Sequence, residues 1–176
     1  MPREFEIATL DLRRAWLLPG GILIAVFVAV AVVARRDPLV LLFLSAELLV
    51  AALLIGYAFG RRRVTVEDGK TLQVVAGIAR TRIAVADLDP DAARIVDLDA
   101  EDSLRPWIKL WGAATLGYRA GHFLLRDRSR AFVLLTTGRR VLALPRRSGG
   151  WLLLSLRRPE TLLDALRAMA KPTTAR

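Results

Sequence analysis

The residues best suited to chemistry lie between Asp87 and Asp102, where Asp97 with Asp99, and Glu101 with Asp102, place carboxylates two and one residues apart. Paired carboxylates can divide acid and base roles when their surroundings push their pKa values apart. No histidine, glycine-rich phosphate loop or nucleophile elbow accompanies them, so the stretch reads as a loop rim or as an electrostatic counterpart to basic regions elsewhere. The only histidine is His122, and one imidazole makes neither a zinc site nor a triad. Without cysteine there is no disulfide, thiolate nucleophile or cysteine-held metal. The sequence therefore predicts a non-enzymatic protein with no catalytic residue, no metal and no cofactor.

The other isolated chemical group is Glu47, inside the apolar run Pro38 to Gly60. Counted at about 100° per residue, it shares a helix face with Ala51, Leu54 and Ala58, while Ala52, Gly56 and Gly60 form a small-residue face for close helix packing. The element that must position these residues is a hydrophobic hairpin. Ala15 to Ala34 is uncharged and would extend about 30 Å as a helix; Arg35-Arg36-Asp37-Pro38 is a polar turn, and Arg61-Arg62-Arg63 stops the second arm. The expectation is two membrane spans, 15–34 and 38–60, with Glu47 as an intramembrane contact whose burial would cost roughly 2.5 kcal/mol or more. Arg3, Arg13, Arg14 and Arg61 to Arg63 outweigh Arg35 and Arg36, which places both termini and the remaining domain on the cytoplasmic side of a bacterial membrane.

Charge divides the rest of the chain. The net charge is +10; Asp87 to Asp102 is acidic with Arg94 its only base, whereas Arg105 to Arg158 is basic with Asp127 its only acid. Val64 to Val66, Leu72 to Val75 and Arg80 to Val85 read as three short strands joined at Asp68-Gly69 and Gly77, with a fourth from Ala93 to Leu98. Ser103 to Gly117 carries no assignable pattern. Gly121 to Arg126, Arg130 to Thr136, Arg140 to Leu144 and Trp151 to Leu156 are further strands. Pro159 to Met169 is an amphipathic helix with proline at its first position and Leu162, Leu163, Leu166 and Met169 on one face.

If these later strands form a meander, Arg126, Arg128, Arg130, Arg146 and Arg147 share one end, and Arg139, Arg140, Arg157 and Arg158 the other. Each basic tip could meet an anionic surface or a partner. Nucleic acid is disfavoured, because the aromatics do not interleave with the arginines.

The segments Gly117-Tyr118-Arg119-Ala120-Gly121-His122-Phe123, Arg130 to Thr136, Val141 to Pro145, Leu152 to Ser155 and the Pro159-Glu160 helix start together resemble the bacterial pleckstrin-homology domain family. The resemblance covers roughly 61–170 and departs from the family at Arg157-Arg158, before the helix. It implies two roughly orthogonal small antiparallel sheets, or an open barrel, capped by the C-terminal helix. The expected fold class is thus an α+β membrane protein: a lead-in (1–14), a transmembrane hairpin (15–60), a pleckstrin-like β domain (61–170, helix 159–169) and a tail (171–176). The expected function is a membrane-anchored adaptor, integral through two spans, binding a protein partner, itself as a homo-oligomer, or anionic lipid headgroups. The alternative is a subunit or regulator of a transport or envelope assembly that uses Glu47.

Overall fold

A computed structural model describes residues 3–9, 12–33 and 38–170. Two helices, α1 (Leu12–Val33) and α2 (Pro38–Gly60), pack against each other ahead of two β-sheets. The first sheet has the order β1-β2-β3-β4, with β1 Arg3–Phe5, β2 Arg62–Glu67, β3 Thr71–Ala76 and β4 Ala79–Ala84. Its two hairpins turn where the sequence is built to turn. Asp68 and Gly69 both take positive φ (51° and 64°), as does Gly77 (67°), conformations that glycine and short polar residues adopt at least cost.

The second sheet has six strands, ordered β5-β9-β10-β8-β7-β6: β5 Arg94–Val96, β6 Pro106–Thr115, β7 Tyr118–Leu125, β8 Arg130–Leu135, β9 Val141–Pro145 and β10 Trp151–Leu154. β10 is inserted between β9 and β8 and runs parallel to β8, with Leu152 opposite Phe132 and Leu154 opposite Leu134. This corrects the expected pair of small antiparallel sheets. The central strands β8, β9 and β10 read as near-continuous apolar runs because both of their faces are covered. Phe132, Leu134, Leu142, Leu144, Leu152 and Leu154 face the first sheet and α3 (Pro159–Ala170), whose Leu162, Leu163 and Leu166 are buried there. Ala131, Val133, Val141, Ala143 and Leu153 face the other way, under Leu98 and Leu104 from the segment that joins β5 to β6. Burial of that many aliphatic side chains, each worth roughly 1.5–3 kcal/mol, makes this doubly covered sheet the stabilising centre of the molecule.

The N-terminal residues are part of the domain rather than a lead-in. β1 adds to β2, Phe5 is buried, and the chain then crosses to the second sheet. There Ile7 bridges Leu156, the Ala8 N–H donates to the Ser155 carbonyl (3.0 Å), and the Thr136 hydroxyl donates to the Ala8 carbonyl (3.0 Å).

The membrane reading is overturned. Among the described residues, no helix is long and apolar enough to cross a membrane. The two-span anchor, the integral membrane partner and the multi-pass placement in a bacterial cytoplasmic membrane fall together with it. The hairpin turn at Arg35 to Asp37 and the tail 171–176 lie outside the described residues. Many apolar side chains of α1 and α2 are exposed in this chain, Ile24 and Phe43 among them, while Ile55 packs on the core and ties the end of α2 to the sheets.

Candidate functional site

Glu47 is exposed on α2 and makes no ion pair with a described residue. With the crossing overturned, its reading as an intramembrane contact is withdrawn, since the cost of a carboxylate in hydrocarbon no longer applies. Ala52 and Gly56 are half-buried, as close packing requires, but Gly60 is exposed and a Cβ there would meet nothing within 4 Å.

The two basic tips form at opposite ends of the second sheet, because strand direction alternates from β7 to β10 even though the lateral order does not follow the sequence. The Arg130 carbonyl lies against Gly150, and the Arg146 N–H donates to the Gly150 carbonyl (3.0 Å), so the β7–β8 and β9–β10 turns are neighbours. The tips are partly neutralised. Arg126 donates to Asp102 (2.7 Å); at the other tip Arg140 pairs with Glu160, and Arg157 with Glu6 (3.1 Å). Arg128, Arg130, Arg147, Arg139 and Arg158 make no ion pair with a described residue.

The strongest neutralisation is at Asp87. Its Oδ2 accepts from the Arg146 guanidinium at 2.9 and 2.8 Å and from the Ser148 hydroxyl at 2.9 Å, and its Oδ1 accepts from the Ser148 N–H at 2.8 Å. The Arg146 hydrogen bond, followed by those from Ser148, holds the Asp87 carboxyl below its ordinary value against the burial that would raise it. Asp87 thus clasps the β9–β10 turn, Asp97, Glu101 and Asp102 stand in turns and surface ion pairs, and Asp99 lines a cavity of about 250 Å³ with Arg105, Arg119 and Tyr118. His122 is exposed, edge-on to Phe132 with ring centroids 5.0 Å apart.

Two features that the sequence left unread remain without such compensation. The first is β6, the outer strand of the second sheet. Trp107, Ile108, Leu110 and Trp111 are exposed, the two tryptophans at 63% and 62%. Register against β7 slips at two places, so Trp107 and Leu110 stand as bulged residues, and from Trp111 to Thr115 the pairing with His122 to Tyr118 is regular. The bulges explain why 103–117 gave no alternation: two extra residues break the period of two. Gly112 and Gly121 face each other across the pair with φ of 124° and 122°, and a Cβ on either would lie about 2 Å from a backbone oxygen.

The second feature is a groove of about 740 Å³ between the last turns of α2 and the outer face of the first sheet. Leu54, Tyr57, Val75 and Ile78 give it apolar walls, and Arg61, Arg62, Arg63 and Arg80 line it. Register places Arg63, Val75 and Arg80 in one cross-strand row. Arg61 lies over the Tyr57 ring at 4.7 Å from its centroid, and Arg63 pairs with Glu4 at 3.1 Å. Arg62 starts β2 on its inner side, where its charge opposes the burial that pushes the Tyr118 hydroxyl up to about 12.

No family model, curated protein or solved structure matches this chain.

Proposed function

We propose that this chain is a non-enzymatic binding module that associates with a second copy of itself along the outer edge of β6. The observation that carries this reading is an uncharged outer edge: from Leu110 to Tyr118 no side chain is charged, and although α1 approaches the strand, the exposed residues include Leu110, Trp111 and Leu116. Such edges template pairing with another strand. The absence of charge favours a self-complementary partner, since no opposite charge is called for and no like charges meet. An isologous antiparallel pairing centred on Ala113 sets Gly112 opposite Ala114, small residues that allow close approach, and Trp111 opposite Thr115, beside Leu116. The pleckstrin-like resemblance is compatible with a helix packed on two sheets, although the parallel β8–β10 pair is not part of a simple meander.

Sedimentation velocity of the full chain, kept in a neutral detergent that masks the exposed apolar helices, tests this. The wild type is expected as a dimer, Trp111→Glu as a monomer, and Gly56→Leu on α2 as a dimer still. A monomeric wild type, or a dimer that survives Trp111→Glu, would overturn the reading.

A further inference from the structure

The groove between α2 and the first sheet has the composition of an amphiphile site. Its volume of about 740 Å³ falls within the roughly 300–1,000 Å³ usual for ligand pockets. Four arginines line it and no acidic residue does; Arg63 pairs with Glu4, while Arg61, Arg62 and Arg80 make no ion pair with a described residue. Arg62 stands in the inner row with Ala76 and Ala79, so the exposed cations of the groove that lack an acid are Arg61 and Arg80. A free oxyanion would use only the cationic half of the groove. Leu54, Tyr57, Val75 and Ile78 give the groove its apolar lining, with Tyr57 and Ile78 exposed at 60% and 64%.

We infer that this groove binds an amphiphile with an oxyanion head and a single acyl chain, the head between Arg61 and Arg80 and the chain along Tyr57, Val75 and Ile78. The carboxylate or phosphate of the head accepts from guanidinium forks, which suit planar oxyanions, and the chain leaves water against the apolar wall. Head and chain together account for a lining that is half cationic and half apolar. The site is remote from β6 in sequence and shares no residue with it, so it stands or falls independently of self-association.

Native mass spectrometry and thermal unfolding of the full chain in dodecyl maltoside, with added laurate, dodecyl phosphate, dodecanol or inorganic phosphate, test the assignment. Laurate, dodecyl phosphate or both are expected to add one molecule per chain and raise the unfolding temperature; which of them does so separates a carboxylate from a phosphate head. Arg61→Gln with Arg80→Gln, both surface changes, should weaken that binding by about tenfold or more, and Ile78→Asp should weaken it through the chain. A response to dodecanol equal to that of the acids, a response to inorganic phosphate alone that matches theirs, or wild-type affinity in the double variant would each overturn the inference.

Discussion

The two sheets end in four edge strands, and three of them are finished in ways that discourage pairing. β1 is three residues long and is crossed by the Arg63–Glu4 ion pair; β4 carries Arg80 and Arg82; β5 is three residues long, with Arg94 held by Glu101 and lying 5.8 Å over the Trp151 ring. The fourth, β6, has ten residues, one charge at Lys109 and two exposed tryptophans. Short strands and edge charges are how folds avoid edge-to-edge association. An edge lacking both, in a molecule that protects its other three, is the difference a binding function would explain. The arginines repeat the lesson. At the tips Arg126, Arg140, Arg146 and Arg157 meet acids, whereas in the α2 groove only Arg63 does.

The contrast can be broken most severely at the glycines that let β6 lie on β7. Gly121→Ala would place a methyl 2.2 Å from the Trp111 carbonyl oxygen in a backbone with φ of 122°. A loss of roughly 3 kcal/mol is expected in urea unfolding, against a smaller loss for Gly149→Ala, where nothing lies within 4 Å. Trp111→Glu leaves the fold in place and puts a carboxylate into the proposed contact, so the dimer should weaken at least about tenfold, or 1.4 kcal/mol, by sedimentation.

A protected region gives the next effect. Asp87→Asn removes the charge from the clasp on the β9–β10 turn, with an expected cost of about 1 kcal/mol near neutral pH. Since the folded carboxyl titrates below its ordinary value of 3.8, its contribution is fully present above that value and is lost as pH falls through the folded pKa. The gap in unfolding temperature between wild type and variant should therefore hold from neutral pH down to about 4 and close below it. The smallest effect belongs to the guarded edge: Ile95→Lys on β5 should change stability by less than about 0.5 kcal/mol and leave the oligomer unchanged. Dissociation there would erase the distinction between the edges.

Much of the β architecture is legible in local sequence. The Asp68-Gly69 and Gly77 turns announce β2 to β4, alternation or continuous apolar character marks β7 to β10, and Pro159 with its leucine stripe announces α3. Three things are not legible, for physical reasons. The insertion of β10 between β8 and β9 depends on contacts across some twenty residues that no local pattern encodes. β6 is masked by its two bulges and by tryptophans that suggest burial but are exposed. Residues 3–9 are too few to show a period, although Phe5 and Ile7 point the way their burial goes. The apolar hairpin misled by composition: it reads as two spans, yet among the described residues no helix is long and apolar enough to cross a membrane. The groove was hidden because Arg61 to Arg63 looked like the end of a span, yet the two turns that set β2, β3 and β4 in register already place Arg63 and Arg80 in one row.

The central claim, pairing of two copies about Ala113, is open to a direct measurement because the chain contains no cysteine. A single Ala113→Cys substitution puts the thiols of the two copies together on the proposed dyad, within the Cα separation of roughly 4.4 to 6.8 Å that a disulfide spans. Mild oxidation of that variant should yield a covalent dimer, while Ala100→Cys, in the exposed turn after β5, should stay monomeric on a denaturing gel. No covalent dimer from Ala113→Cys, or equal crosslinking from both variants, would contradict the account.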